Sequence, residues 1–136
     1  MAKTVLHDEH VKLGASFTDF GGWDMPVRYS SDLLEHHAVR NAAGLFDISH
    51  MAELFISGIQ ASEFLDFALV GVASEIAIGR AKYSMICNSE GGIIDDLIVY
   101  RLETHRYLII ANASNREPVA KALRERANNF EVSVDD

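Results

Sequence analysis

The sequence predicts an α+β protein: a ferredoxin-like split β-α-β domain over residues 53–136, preceded by a segment, 1–52, that does not complete a domain of its own. Two observations carry this. From residue 53 onward, strand-like alternation and helical spacing follow one another in the order β-α-β-β-β-α-β, which opens and closes on a strand. Residues 1–52 offer two helices and a few short extended pieces, with too little partner surface to bury their apolar faces.

The elements follow in order. Leu6, His10 and Leu13 are spaced as on a helix that stops at Gly14. Phe17 to Tyr29 reads as extended pieces broken at Gly21-Gly22, with Pro26 arguing against a central strand. Asp32, with Glu35 three residues on, is placed to cap a helix running to Gly44. A strand-like start follows at Leu45-Phe46. In the second region Leu54 to Ile56 reads as a strand, Ser57 and Gln60 as a capping box, and Ala61, Phe64, Leu65, Ala68 and Leu69 as an apolar helical stripe. A loop over 71–79 leads to strands at 81–88, 93–102 and 106–113, the first two joined by an Asn88-to-Gly92 turn. Ser114 and Glu117 are placed to cap a last helix with Pro118 in its first turn, and Phe130, Val132 and Val134 alternate as a final strand.

Bulk composition narrows the function. The chain has 136 residues, 49% apolar and 24% charged, which suits a folded globular protein. Its formal net charge is −8, and no basic run exceeds two residues, so neither nucleic acid nor an anionic membrane is an expected partner. There is no signal or transit segment at the N-terminus and no apolar run long enough for a membrane span, so a cytoplasmic location is expected. Cys87 is the single cysteine and reads as a strand residue. Six histidines (7, 10, 36, 37, 50 and 105) fall in no metal-binding frame, and no metal is expected. Neither a nucleophile elbow nor a phosphate loop is present. Trp23 reads as an anchor for the N-terminal region.

Asp95-Asp96 is the most informative pair. Alternation in Ile93-Ile94-Asp95-Asp96-Leu97-Ile98-Val99-Tyr100 sends the two carboxylates to opposite faces, each among apolar neighbours. A carboxylate so placed is costly unless partnered, so it either has a chemical task or sits at a frayed strand end capping the glycine turn. Position alone leaves both open. Tyr83 and Asn112 are candidate neighbours from the flanking strands.

Three strings go further. Phe20-Gly21-Gly22-Trp23-Asp24-Met25-Pro26-Val27, Leu45-Phe46-Asp47-Ile48-Ser49-His50-Met51, and Tyr83 to Asn88 continuing through Gly91-Gly92-Ile93-Ile94-Asp95-Asp96-Leu97 together resemble the glycine-cleavage T-protein family. The resemblance implies an aminomethyltransferase that moves a methylene group from aminomethyl-lipoyl H-protein to tetrahydrofolate with release of ammonia. It implies that Asp96 is the carboxylate beside the attacking folate nitrogen, and that Met51, Tyr83, Tyr100 and Asn112 lie near the folate. It also implies that 1–52 is the N-terminal segment of a discontinuous first folate-binding domain, with 53–136 inserted into it. The family continues beyond the position of Asp136 for more than this chain's length, so this chain alone is expected to be inactive. The alternative is a non-catalytic folate-binding or interaction module of the same superfamily, associating with itself or with a complementing chain through residues 1–52. Superfamily relatives also include demethylases, dehydrogenase C-terminal parts and an iron–sulfur assembly protein.

Overall fold

The computed structural model describes residues 1–136. They form two compact units, Met1–His50 and Met51–Asp136. The division falls two residues before the boundary read from the sequence, so Met51 and Ala52 belong to the second unit.

In the first unit a short helix α1 (His7–Lys12) precedes a two-stranded antiparallel ribbon, β1 (Ser16–Phe20) and β2 (Trp23–Arg28). The ribbon turns at Gly21 and Gly22, both at positive φ, and the Asp19 carboxylate accepts the Gly22 N–H at 2.8 Å. Pro26 is tolerated because a two-stranded ribbon has no central strand. Helix α2 runs from Asp32 to Asn41, short of Gly44, and Ser31 rather than Asp32 takes the cap position. Glu35 reaches back to accept the N–H groups of Tyr29 (2.9 Å) and Ser30 (2.8 Å), serving the chain just ahead of the helix. No strand starts at Leu45. There the Asp47 side chain accepts the Ser49 N–H at 3.0 Å, and such a local turn competes with sheet pairing.

The second unit contains β3 (Ala52–Ser57), α3 (Ala61–Ala68), β4 (Ala81–Cys87), β5 (Ile93–Glu103), β6 (Arg106–Ala111), a 3-10 turn (Ala113–Asn115), α4 (Arg116–Ala127) and β7 (Ser133–Asp135). The sheet order is β4-β5-β6-β3-β7, antiparallel throughout. β3 lies between β6 and β7, so one strand splits the β6-α4-β7 crossover, while β5 and β6 both lie between β3 and β4, the strands that α3 connects. This is the α+β architecture expected, with β4 added at one edge. Alternate residues of the sheet (Leu54, Ile56, Leu97, Val99, Tyr107 and Ile109) form the core with Phe64 and Leu65 of α3 and Val119 and Leu123 of α4.

Three local expectations change. Gln60, not Ser57, precedes α3, and no side-chain cap forms; its carboxamide instead accepts the Glu131 N–H at 2.8 Å. Asn115 stands at the cap of α4, because the 3-10 turn consumes Ser114. The last strand is confined to Ser133–Asp135, since Phe130 leaves the sheet to pack on Phe64 and Phe67, with ring centroids 5.5 Å away in each case. The expected Asn88–Gly92 turn is present. Gly91 alone of its glycine pair has positive φ, and Asn88 Oδ1 accepts the Glu90 and Gly92 N–H groups.

Gly58 is the tightest backbone position. Its φ is +144°, and a Cβ there would stand 2.2 Å from the Glu131 carbonyl oxygen and 2.7 Å from the Val132 Cα. Gly58→Ala is therefore expected to cost more than the roughly 1–3 kcal/mol of backbone strain alone. Urea denaturation checks this; a midpoint equal to that of wild type would refute it.

Candidate functional site

β5 carries the site because alternation gives its neighbouring carboxylates different surroundings. Asp95 points inward with Leu97 and Val99 and is only 2% exposed, whereas Asp96 points to the face the helices do not cover. Asp95 has no cationic partner. It accepts the Asn112 backbone N–H on Oδ2 (2.9 Å), Asn112 Nδ2 on Oδ1 (2.9 Å) and Asn115 Nδ2 on Oδ1 (2.6 Å). Three donors satisfy a buried carboxylate by hydrogen bonding alone.

On the open face Tyr83 of β4 donates its hydroxyl to Asp96 Oδ2. Asn112 Nδ2 lies 2.9 Å from the Asp96 main-chain oxygen and 3.3 Å from Oδ1, so one amide touches both acids. The hydrogen bond to Asp96 is the main reason the Tyr83 hydroxyl titrates above its ordinary value of 10.0, with burial and the Asp96 and Asp95 charges adding to it. Tyr83 is nonetheless 62% exposed, so its ring is available to a ligand. Register sets Ile98 opposite Tyr83 and Ile110, and Tyr100 opposite Ala81 and Leu108. The result is a partly exposed apolar and aromatic surface with a polar cluster at one end.

Four of the five residues singled out from the sequence thus share one face: Tyr83, Asp96, Tyr100 and Asn112. Met51, half-buried, directly precedes β3, and alternation puts it on the side of Glu53 and Phe55. Asn115 escaped the sequence reading. Its signal was the Asn112-x-x-Asn115 spacing just after a strand whose neighbour holds an inward acid.

A second polar cluster, in the first unit, was also missed. His10 Nε2 is 2.8 Å from Asp47 Oδ2, and its Nδ1 is 2.8 Å from the Tyr29 hydroxyl. Burial alone would raise the Asp47 pKa, but hydrogen bonds from Ser49 and His10 outweigh it and hold the carboxyl well below its usual range. His10 and Tyr29 border a cavity of about 510 Å³ lined by Leu6, Leu13, Leu45 and Phe46. Nothing in the sequence links positions 10, 29 and 47. His7 pairs separately with Asp24 at 3.0 Å, and no three metal-ligating side chains converge. No helix is long and apolar enough to cross a membrane.

The second unit is thus an α+β sheet domain of the split β-α-β class that concentrates its polar chemistry on an uncovered sheet face. The chain belongs to the GCVT N-terminal domain family, whose pattern matches residues 6–136. It is 58% identical over all 136 residues to the aminomethyltransferase of Corynebacterium jeikeium (strain K411), covering 35% of that protein. It is 59% identical to the Saccharopolyspora erythraea aminomethyltransferase over 134 residues, 98% of this chain and 36% of that protein. Among solved structures, the glycine cleavage system aminomethyltransferase T from Bartonella henselae superposes with a TM-score of 0.93 at 43% identity, over 97% of this chain and 37% of that one. The chain therefore spans about a third of the length of these relatives.

Two outcomes follow from the hydrogen-bond geometry. Asp96→Asn is expected to bring the Tyr83 titration down toward 10.0, which NMR of the labelled phenol would read; an unchanged titration would refute the pairing. Asp47 has a lowered pKa in the fold, so the stability it contributes is present above its unfolded value near 4 and is lost as pH falls below that. Asp47→Asn should cost about 1–3 kcal/mol at neutral pH and flatten the decline of stability between about pH 4 and pH 2. Denaturation at a series of pH values tests both the size and the sign.

Proposed function

We propose that this chain is the N-terminal portion of a glycine cleavage system aminomethyltransferase, and that the open face of its second unit forms part of the tetrahydrofolate site. In this reading the complete protein transfers the methylene carbon of an aminomethyl group on the lipoyl arm of H-protein to tetrahydrofolate, releasing ammonia. The observation that carries it is the Asp96 carboxylate, exposed on an apolar sheet face, paired with Tyr83 and touched by Asn112.

The residues fit a flat, polar-edged co-substrate. Tyr83 and Tyr100 offer rings, Ile98, Leu108 and Ile110 offer apolar contact, and Asp96 and Asn112 offer hydrogen-bonding groups at one end. Tetrahydrofolate supplies the nucleophilic amine. Asp96 orients that amine or accepts its proton, which requires an acceptor within hydrogen-bond reach. Met51 borders the same face. Residues 1–50 are read as the opening segment of a discontinuous first domain, and the location as cytoplasmic.

One observation favours a second reading, an interaction module. α2 buries none of its residues, Leu33 and Leu34 are largely exposed, and Leu45 is fully so. Such surface suits a second copy or a complementing chain, which size-exclusion chromatography would reveal.

Calorimetric titration with tetrahydrofolate tests the main reading. Saturable binding is expected, weakened about tenfold or more in Asp96→Asn, as when one charge-assisted hydrogen bond is removed. Binding of equal strength in the variant would overturn the role of Asp96, and the absence of binding by a folded chain would overturn the site.

A further inference from the structure

We infer that Asp95, which points away from the open face, is a positioning residue for Asp96: its buried carboxylate fixes the side-chain amide of Asn112, and that amide holds Asp96. The inference rests on the reading of Asp96 given above.

The geometry leaves the amide little choice. A carboxylate only accepts hydrogen bonds, so with Asp95 Oδ1 at 2.9 Å the nitrogen of Asn112, not its oxygen, must face the buried acid. Reversing the amide would set two oxygens against each other. The second Nδ2 proton is then directed at Asp96, whose main-chain oxygen lies at 2.9 Å and Oδ1 at 3.3 Å. Asn112 is itself anchored, since its backbone N–H donates to the other Asp95 oxygen. Asn115 holds Asp95 from a third side. Adjacent residues of one strand face opposite ways, so Asp95 cannot meet a ligand of Asp96 directly. The link runs instead around the end of β6, through Asn112.

Core stability does not explain Asp95. Its inward neighbours on β5, Leu97 and Val99, are apolar, and a hydrocarbon side chain there would spare the desolvation of a charge. A neutral carboxamide could not serve either. Both Asp95 oxygens accept, and the –NH2 of an asparagine would oppose a donor at one of them.

The test uses Tyr83 as a reporter, because its hydroxyl rests on Asp96. Wild type, Asp95→Asn, Asn112→Ala and Asn115→Ala are compared as folded 136-residue chains, by NMR titration of the Tyr83 phenol and by calorimetry with tetrahydrofolate. Asp95→Asn is expected to lower the Tyr83 titration toward its ordinary value and to weaken tetrahydrofolate binding about threefold to tenfold, less than Asp96→Asn does. Asn112→Ala should lower the titration too, and Asp95→Asn should then add less than it does alone, because only its own charge on Tyr83 remains to be lost. Asn115→Ala, which removes a donor to Asp95 but leaves the Asn112 link, should leave Tyr83 where it is. An unmoved Tyr83 in Asn112→Ala, or a drop from Asp95→Asn of equal size with and without Asn112, overturns the inference. A wild-type chain that does not bind tetrahydrofolate, with the two substitutions still non-additive at Tyr83, would defeat the folate reading and leave the positioning role standing.

Discussion

The second unit is organised around a buried carboxylate with no cation beside it. Asp95 sits in line with Leu97 and Val99, where a charge is expensive unless donors surround it. Its donors come from Asn112 and Asn115, and recruiting them shapes the chain. β6 ends at Ala111 because the next N–H turns to the Asp95 side chain instead of a neighbouring strand. The 3-10 turn over Ala113–Asn115 then brings the second asparagine round before α4 begins. The place where the strand stops is also the place where Asp96 finds a partner.

The sheet itself turns one sequence into two environments. Alternate residues face α3 and α4 and are almost fully buried, each large one adding roughly 1.5–3 kcal/mol. The residues between them meet no helix of their own unit, and Ile98, Tyr100 and Tyr83 remain partly or mostly exposed. A one-residue slip in β5 would exchange Asp95 and Asp96 and empty the core of Leu97 and Val99. Core packing therefore fixes which carboxylate faces outward, without any contribution from a ligand.

Much of this was legible in the sequence wherever the signal was periodic. The apolar stripe from Ala61 to Leu69 is buried, and the opposed faces of Asp95 and Asp96 follow from alternation in β5. Capping was harder to read. Ser57, Asp32 and Ser114 have the right chemistry, but Gln60 is claimed by Glu131 from a distant loop, and a 3-10 turn displaces the start of α4 by one residue. The strand expected at Leu45 gave way to a turn built on Asp47, whose other partner, His10, is 37 residues away. Such links depend on tertiary placement, which local pattern does not encode. Asn112 could be picked as a neighbour of Asp96, but its double attachment to Asp95 depends on where β6 ends in the fold.

The two polar clusters use similar components to different ends. Each joins a carboxylate to a tyrosine, and in each the phenol titrates above its ordinary value. For Tyr29 the cause is burial first, then the charges of Asp47 and Glu35; for Tyr83 it is the hydrogen bond to Asp96. A phenol with a raised pKa stays protonated near neutral pH and acts as a donor, so neither tyrosine is suited to take up a proton. In the first cluster the carboxylate is enclosed, with its side chain only 2% exposed, and its charge pins the 47–49 turn to α1 through His10. In the second the carboxylate stands in the open, held by a phenol on one side and a carboxamide on the other. Only there does a proton acceptor remain within reach of a ligand, and that difference in exposure, more than any difference in residue type, separates the two clusters.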